Sequence, residues 1–260
     1  MAKNESVLYR EHDGVAWLTF NRPRALNALS PDTLHELNAL LDRVKGDGAI
    51  NGVIITGTGD AFSAGADIRH LNLSAPIEVR DFARLAVEVN HKIETLGKIV
   101  VAAINGYALG GGLELGESCM LRVAVRGAML GHPEVRIGAV AGFGGTTRLP
   151  RLIGKGRAAE LLLTGRLVEA DEALRLGLVN QVVEPDALLS QCEILLREIL
   201  SQSPIAVKLT WEAIHHGLNL TLEESAALGA ESFGLVAATD DFRTGTKAFL
   251  AKTVPSYTGR

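Results

Sequence analysis

The sequence has little cysteine and no surplus of either charge. Its two cysteines, Cys119 and Cys192, form no CxxC pair, which argues against a disulfide framework and against a cysteine-rich zinc site. The formal net charge is only −4 over 260 residues, so no long-range attraction to nucleic acid or to an anionic membrane is expected. These absences favour a protein that acts on small molecules in a reducing compartment, and we expect a cytoplasmic location.

Long apolar segments are also missing. The longest mostly apolar run, residues 99–113, is interrupted by Asn105 and by glycines, and it is shorter than the roughly 20 residues that a membrane-spanning helix needs. The first residues, MAKNESVLYREHDG, have neither an apolar signal core nor the acid-free, arginine-rich character of a transit peptide. We therefore expect no membrane span and no export or organelle signal.

Glycine is plentiful, yet the common glycine-rich cofactor motifs are incomplete. GTGDAF lacks the third glycine of GxGxxG, LIGKGRA lacks the Ser or Thr of a P-loop, and no GxSxG hydrolase motif occurs. The sequence His132-Pro133-Glu134 is like the HxE of zinc deaminases, but no PCxxC follows it. We therefore predict no metal site and treat His132 as a structural histidine.

Apolar strands separated by helices predict an α/β core. VLYR and VAWLTF flank EHDG, the pattern of a hairpin that turns at Asp13-Gly14. Ser30-Pro31 marks a helix start, and the strands GVIITGTG and IVVAAING are separated by a predicted helix over residues 77–96. Such an arrangement predicts crossover connections between parallel strands. We predict a polar loop for GDAFSAGADIRHL and further short strands in MLRVAV and in residues 129–137.

The pattern becomes almost wholly helical from Pro185 onward. Helix-start signals recur at Glu184-Pro185 and Ser203-Pro204, and Thr221-x-x-Glu224 has the form of a capping box. We predict a core over residues 1–200 and a C-terminal helical region over residues 201–260.

Two glycine-rich loops follow predicted strands, FSAGAD at residues 62–67 and ALGGG at residues 108–112. Ligands of α/β layers lie beyond the carboxyl ends of strands, and the helix beginning near Gly111 would direct its positive N-terminus toward them. Two backbone N–H groups from separate loops are the usual donors to an oxyanion. The two loops therefore predict a site that stabilises a developing negative charge on oxygen.

Two carboxylates stand in apolar stretches, Glu114 in GGGLELG and Glu134 in LGHPEVRIG. Burial disfavours the charged form of a carboxylate and raises its pKa toward the range useful for proton transfer. The competing interpretation is structural, with each Glu on the surface or paired with an arginine, for which Arg122, Arg126 and Arg136 are candidates. Sequence spacing alone leaves open whether the two carboxylates meet.

Six segments occur in an order that is specific to one family. They are FNRPRALNAL, AFSAGADIRHL, NGYALGGGLEL, GHPEVRIGAVAGFGGTTRLPRLIG, LTGRLVEADEALRLGLVNQVV and TDDFRTGTKAFLAKTVPSYTGR. Over nearly its whole length the chain resembles the crotonase, or enoyl-CoA hydratase/isomerase, family. The resemblance implies a spiral of ββα units with a C-terminal helical trimerisation region, and assembly as a homotrimer or a dimer of trimers. Met120 departs from the family pattern, in which Asp often follows Cys here, and we expect only a local packing difference.

The resemblance also implies roles for individual residues. The N–H groups of Ala64 and Gly111 would hold the thioester oxygen of an acyl-CoA, Glu114 would activate a water, and Glu134 would protonate the α-carbon. Ala66 would contact the adenine end, and Asp67 would order its loop through backbone hydrogen bonds. The residues implied to bind coenzyme A are Arg24, Ala25, Leu26, Ala64, Gly65, Ala66, Asp67, Ile68, Gly111 and, from a neighbouring subunit, Lys252.

The expected activity is reversible syn addition of water to a trans-2-enoyl-CoA, giving the (3S)-3-hydroxyacyl-CoA in fatty-acid or related acyl-CoA degradation. No cofactor is expected, because coenzyme A is part of the substrate. An enoyl-CoA isomerase is one alternative, although such enzymes generally rely on one Glu at the Glu134 position, and a cyclic dienoyl-CoA hydratase is another. Some relatives bind RNA through a lysine-rich helix, but residues 76–97 here mix acidic and basic side chains, so no nucleic-acid partner is expected.

Overall fold

The computed structural model describes residues 5–260, in which strands and helices alternate. The strands are β1 (Val7–His12), β2 (Val15–Phe20), β3 (Gly52–Gly57), β4 (Ala61–Ser63), β5 (Ile99–Ile104), β6 (Tyr107–Leu109), β7 (Leu121–Val125), β8 (Met129–Gly131), β9 (Leu167–Glu169) and β10 (Gln181–Val183). The helices are α1 (Pro31–Gly46), α2 (Ile68–Leu73), α3 (Pro76–Glu94), α4 (Gly111–Ser118), α5 (Gly145–Ile153), α6 (Lys155–Thr164), α7 (Ala170–Leu176), α8 (Leu188–Leu200), α9 (Pro204–Gly217), α10 (Leu222–Ala237) and α11 (Asp240–Ala251). Short 3₁₀ helices occupy Pro23–Ala25, Glu134–Ile137 and Pro185–Ala187.

The strands form two sheets. A six-stranded sheet has the order β1-β2-β3-β5-β7-β10, and a four-stranded sheet has the order β4-β6-β8-β9. In the larger sheet β1 and β2 are antiparallel, whereas every other neighbouring pair is parallel. Helix α3 connects the parallel strands β3 and β5, which confirms the predicted crossover and the α/β class.

The apolar core is built from patterns that are visible in the sequence. All six residues of β5 are buried, as are five of the six in β3, as expected for strands covered on both faces. Helix α1 begins where Ser30 Oγ accepts a hydrogen bond from Thr33 N at 3.2 Å. Its stripe of Leu34, Leu37, Leu41 and Val44 is buried, so the predicted helix start and apolar face are confirmed.

The predicted hairpin is also confirmed. Strands β1 and β2 pair from Val7–Phe20 to His12–Val15, and the two turn residues, Asp13 and Gly14, have φ angles of 48° and 71°. Positive φ at both central residues is what a tight turn between twisted antiparallel strands requires. Asp and Gly are among the residues that tolerate this conformation, which explains why the sequence signal is reliable here.

Two local predictions are wrong. The segment expected to be a loop, GDAFSAGADIRHL, contains strand β4 and the start of helix α2. Residues 129–137 form only the three-residue strand β8, after which Glu134–Ile137 makes a 3₁₀ helix. Both errors concern elements too short to show a period, and the pairing of β4 and β8 with β6 decides their conformation.

Contacts divide the chain into two compact units, with the boundary between Glu193 and Ile194. The predicted division into a core over 1–200 and a trimerisation region over 201–260 stays a prediction. In the second unit Thr221 and Glu224 form the predicted capping box. Helix α9 begins after Ser203 as predicted, but the hydroxyl of Ser203 does not cap the helix and donates to Asp241 Oδ2 at 3.1 Å. Throughout residues 5–260, no helix combines the length and apolarity needed to cross a membrane.

Asp241 binds residues 258–260 through hydrogen bonds. Its carboxylate accepts hydrogen bonds from Thr258 N at 2.8 Å and from Gly259 N at 3.0 Å. Its own N–H donates to the carbonyl of Arg260 at 3.1 Å. The last residues of the chain are therefore tied to the first turn of α11.

Candidate active site

The two segments implied to bind coenzyme A are joined by backbone hydrogen bonds. Leu29 N donates to Gly65 O at 2.7 Å, Asp67 N donates to Leu29 O at 2.8 Å, and Ala64 N donates to Leu26 O at 2.9 Å. Arg24 and Ala25 lie in the 3₁₀ helix just before this junction and are exposed. The structure thus brings residues 24–26 and 64–68 together as one surface.

One expected oxyanion donor has to be corrected. The N–H of Ala64 is already used by the carbonyl of Leu26, so it is not free for a substrate oxygen. Leu29 and Ala66 form an isolated parallel bridge. In such a bridge the carbonyl of Gly65 and the N–H of Asp67 bond to Leu29, whereas the N–H of Ala66 points away from Leu29. Within the described part of the chain, the N–H of Ala66 has no hydrogen-bond partner.

The N–H groups of Ala66 and Gly111 are neighbours. A Cβ added to Gly111 would lie 3.5 Å from Ala66 N, and a Cβ added to Gly65 would lie 3.2 Å from Gly111 N. Gly111 is the first residue of α4, where N–H groups have no partner within the helix. The pair of free donors is therefore Ala66 and Gly111 rather than Ala64 and Gly111, and the contact of Ala66 with the adenine end stays a prediction.

Each glycine of the Gly110-Gly111-Gly112 triplet has a close neighbour that a side chain would displace. Gly110 has φ +49°, and a Cβ on it would lie 2.8 Å from Glu134 Oε1. A Cβ on Gly111 would meet the ring of Phe143, and one on Gly112 would overlap the backbone of Ser63. The triplet therefore lets the chain pass close to a carboxylate, to an aromatic ring and to the neighbouring loop.

Glu114 lies in the first turn of α4 and is only 1% exposed. Its Oε1 accepts hydrogen bonds from Gly145 N at 2.6 Å and from Phe143 N at 2.8 Å. Burial raises its pKa to about 7 despite the hydrogen bond from Gly145, and the charge of Glu134 contributes to the increase. Near neutral pH this carboxyl group can therefore both accept and donate a proton.

Glu134 begins the 3₁₀ helix that follows β8, and its side chain is 15% exposed. Its Oε2 is buried and has no hydrogen-bond partner among residues 5–260. The side chains of His132 and Glu114 lie together against Gly145, where a Cβ would be 2.9 Å from His132 Cε1 and 3.0 Å from Glu114 Cγ. His132 Nδ1 in turn lies 3.8 Å from Glu134 Oε1. The two carboxylates thus belong to one cluster, with His132 near both.

The arginines considered as structural partners have other roles. Arg122 is buried and donates to the carbonyls of Leu178 and Cys119, at 2.8 and 2.7 Å. Arg126 is paired with Asp171 and Glu184 on the surface. Neither of these two arginines pairs with Glu114 or Glu134, so they do not supply the partner that the structural interpretation requires.

The sequence did not reveal Arg22 as part of the site. Its Nη2 lies 2.9 Å from Asp67 Oδ2, and its Nη1 donates to Ala28 O at 2.5 Å. Asp67 also accepts a hydrogen bond from Arg69 N at 3.2 Å as the N-cap of α2, which confirms that Asp67 orders its loop. Arg22 lies within the segment FNRPRALNAL, but its contact with Asp67 was not evident there because the two residues are 45 positions apart in sequence.

A second missed feature is the pair formed by Glu117 and His132. Glu117 Oε1 lies 2.8 Å from His132 Nε2, and the two side chains are 0% and 1% exposed. Glu117 stands one helical turn after Glu114 in α4. His132 and Glu117 are 15 residues apart, and no spacing rule links a helix position to the residue after a short strand.

The remaining residues implied to bind coenzyme A are surface residues. Leu26 is 42% exposed and Ile68 is 52% exposed, and Lys252 caps the end of α11 in the second unit in a left-handed conformation. Their assigned contacts stay predictions.

Comparisons of sequence and of structure with known proteins identify the same family. A family model described as enoyl-CoA hydratase/isomerase matches residues 10–260. The short-chain-enoyl-CoA hydratase of Clostridium acetobutylicum is 43% identical over 95% of both chains. The crotonyl-CoA hydratase of Syntrophomonas wolfei is also 43% identical, over 95% of this chain and 96% of its own. Among solved structures, an enoyl-CoA hydratase from Bacillus anthracis superposes with a TM-score of 0.93 at 37% identity, covering 98% of this chain and all of that one.

Proposed function

The chain belongs to the enoyl-CoA hydratase/isomerase family and is an enoyl-CoA hydratase, and we propose that it adds water to trans-2-enoyl-CoA thioesters between Glu114 and Glu134. Family membership confirms the resemblance and the crotonase-like fold expected from the sequence. The observation that carries the proposal is the free donor pair of Ala66 and Gly111 beside two carboxylates in one buried cluster.

The donor pair acts on the thioester oxygen. As water adds to the β-carbon, electron density moves onto this oxygen and gives an enolate. The N–H groups of Ala66 and Gly111 are fixed by the backbone, so they stabilise the enolate more than the neutral thioester without having to reorient. The positive end of α4, which begins at Gly111, adds to this stabilisation.

The two carboxylates move the protons. Glu114 takes a proton from the water as its oxygen attacks the β-carbon, and Glu134 gives a proton to the α-carbon on the same face. The product is the (3S)-3-hydroxyacyl-CoA, and the same steps in reverse remove water. The pKa of about 7 for Glu114 supports its role as the group that accepts the proton of the water near neutral pH.

The coenzyme A part of the substrate is proposed to lie along residues 24–26 and 64–68, with Arg24 near a phosphate and Lys252 reaching it from a neighbouring subunit. Assembly as a homotrimer or a dimer of trimers is part of this proposal. Large apolar side chains exposed in the second unit support it, since such surfaces are normally covered. They include Leu222, Phe233, Phe249 and Leu250. No further cofactor takes part in the proposed reaction, which we place in the cytoplasm and in acyl-CoA degradation.

Hydration of crotonyl-CoA tests the proposal. The conjugated thioester loses its ultraviolet absorbance when water adds, and mass spectrometry of the product should show a gain of one water. A panel of longer 2-enoyl, 3-enoyl and cyclic dienoyl thioesters defines the acyl range. Conversion of a 3-enoyl thioester to its 2-enoyl isomer, with no hydration of any panel member, would instead indicate an isomerase.

The donor pair can be tested by replacing single amide bonds with esters. Installing the α-hydroxy acid that corresponds to alanine at position 66 removes only one N–H group, and we expect kcat to fall about 10²- to 10³-fold. The same replacement at position 64 removes the hydrogen bond to Leu26 and should lower thermal stability with a much smaller effect on kcat. The opposite ranking of the two esters would restore Ala64 as the donor.

A further inference from the structure

The buried pair of Glu117 and His132 takes no part in the proposed mechanism, and each of the two side chains has a polar atom without a hydrogen-bond partner among the residues that the structure describes. Within residues 5–260, the buried polar side-chain atoms without a partner include Glu117 Oε2, His132 Nδ1 and Glu134 Oε2. All three belong to the same cluster, although unpartnered buried polar atoms are rare and costly. Their concentration at one place indicates that the cluster is arranged for function.

When Glu134 is a carboxylate, the geometry favours one protonation state of His132. Its Nε2 faces Glu117 Oε1 at 2.8 Å and its Nδ1 faces Glu134 Oε1 at 3.8 Å. A neutral ring that donates from Nε2 would present the lone pair of Nδ1 to a second carboxylate, which is repulsive. An imidazolium ring donates from Nε2 to Glu117 and presents an N–H and a positive charge to Glu134, so it attracts both carboxylates.

We propose that Glu117 and His132 form a positioning pair, in which Glu117 holds His132 as an imidazolium and His132 orients and stabilises the carboxylate of Glu134. This inference rests on the proposed function. When Glu134 gives its proton to the α-carbon, it becomes a carboxylate beside the imidazolium. The charge of His132 therefore favours the state that the protonation step produces, and it holds Glu134 toward Gly110 rather than toward solvent.

The neighbouring charges are consistent with this arrangement. The groups that interact electrostatically with the pair are Glu114 from α4, Glu134 from the 3₁₀ helix, Arg122 from β7 and Arg148 from α5. Burial by itself would lower the pKa of His132, but the charge and hydrogen bond of Glu117, together with Glu134, raise it well above the ordinary histidine value. With Glu114, Glu117 and Glu134 all ionised, the two guanidiniums and the imidazolium balance the three carboxylates, so the cluster is one positive charge short once His132 is neutral.

The pH dependence of kcat/KM with crotonyl-CoA separates positioning from a merely structural role. His132→Gln removes the positive charge, so the carboxylates hold protons more tightly and both limbs of the profile should move to higher pH by about one unit or more. We expect kcat to fall as well, by up to about a hundredfold, because Glu134 is no longer held in place. A profile that superimposes on that of the parent overturns the proposal.

Glu117→Gln gives a sharper test, since glutamine keeps the hydrogen-bond acceptor for Nε2 but removes the charge. His132 should then lose its proton in the neutral range. The variant should behave like the parent at low pH and like His132→Gln at high pH. Ser118→Ala is the matched control. It is the next residue of the same helix, is buried and donates to Leu115 O, so it should lower stability without moving the profile.

Nitrogen NMR of histidine-labelled parent protein tests the imidazolium without any assay of turnover. The resonances of His132, assigned by their loss in His132→Gln or in the more conservative His132→Asn, should show both ring nitrogens protonated at pH 8. A neutral ring at that pH overturns the proposal even if hydration is observed. Failure of the parent to hydrate any enoyl-CoA would refute the proposed function instead, and the NMR result would still decide the charge of His132.

Discussion

Gly145 N donates to Glu114 Oε1 at 2.6 Å and fixes the carboxyl group of α4 against the N-terminus of α5. Because a glutamine keeps one carbonyl oxygen in the same place, Glu114→Gln should preserve this hydrogen bond and the one from Phe143. The variant can no longer take a proton from water, so hydration of crotonyl-CoA should fall by about 10²- to 10⁴-fold.

Circular dichroism and thermal unfolding of Glu114→Gln provide the control, since both should match the parent at pH 4.5, the ordinary pKa of a glutamate side chain. Hydration at close to the parent rate would show that Glu114 does not activate the water.

The raised pKa of Glu114 predicts a pH-dependent stability difference. The pKa is about 7 in the folded protein against an ordinary value of 4.5, so the folded state binds this proton more tightly than the unfolded chain does. The resulting stabilisation is fully present below about pH 4.5 and is lost as the pH rises through 7, by up to about 3 kcal/mol.

Parent and Glu114→Gln should therefore be compared by denaturant unfolding at several pH values. The stability of the parent relative to the variant should decline between pH 4.5 and 7 and stay level above pH 8. A constant difference would mean that Glu114 is ionised throughout this range.

Gly110 is the glycine of the triplet that faces Glu134. In Gly110→Ala the new Cβ would begin 2.8 Å from Glu134 Oε1 and would sit at φ +49°. We expect the carboxylate to be pushed aside, kcat to fall about a hundredfold or more, and stability to fall by about 1–3 kcal/mol.

Gly48→Ala is the matched substitution, because nothing lies within 4 Å of a Cβ at that position and its φ is not positive. Equal losses of kcat in the two variants would indicate a general effect of replacing glycine rather than displacement of Glu134.

The ion pair between Arg22 and Asp67 should affect substrate binding more than turnover. Asp67→Asn keeps an oxygen for the hydrogen bond from Arg69 N but removes the charge that holds Arg22 and, through it, the carbonyl of Ala28. Because residues 24–26 and 64–68 form one surface, we expect KM to rise about tenfold, equivalent to about 1.4 kcal/mol, with a smaller change in kcat.

Asp32→Asn, at an exposed position in the first turn of α1, should leave KM unchanged in the same steady-state assay. A fall in kcat without a rise in KM for Asp67→Asn would place the effect of the ion pair at the reacting atoms instead.

Sequence patterns predicted those elements whose conformation is determined locally. Helix α1 has its cap, its proline and its apolar stripe within a single run of residues, and β5 is a continuous apolar strand. Glu114 could be identified because it follows a glycine triplet and lies in an apolar stretch. In each case the information lies within about one helical turn or one strand.

What sequence could not supply depends on pairing over distance. Whether Ala64 or Ala66 has a free N–H is decided by the hydrogen bonds of Leu26 and Leu29, which approach from another loop. The partner of His132 is a helix residue whose side chain direction is known only once α4 is packed. Motif matching therefore selected a loop but could not show that the N–H of Ala64 within it is already bonded to Leu26 O.

The hydrogen bonds of Asp241 make the last three residues a structural part of the second unit. Proteolytic trimming before Thr258 would remove two backbone donors at once, at 2.8 and 3.0 Å, and leave the carboxylate with Ser203 as its remaining donor. Loss of residues 258–260 would thus leave the first turn of α11 without these hydrogen-bond partners. A tag attached after Arg260 would have to leave the hydrogen bonds of Asp241 intact.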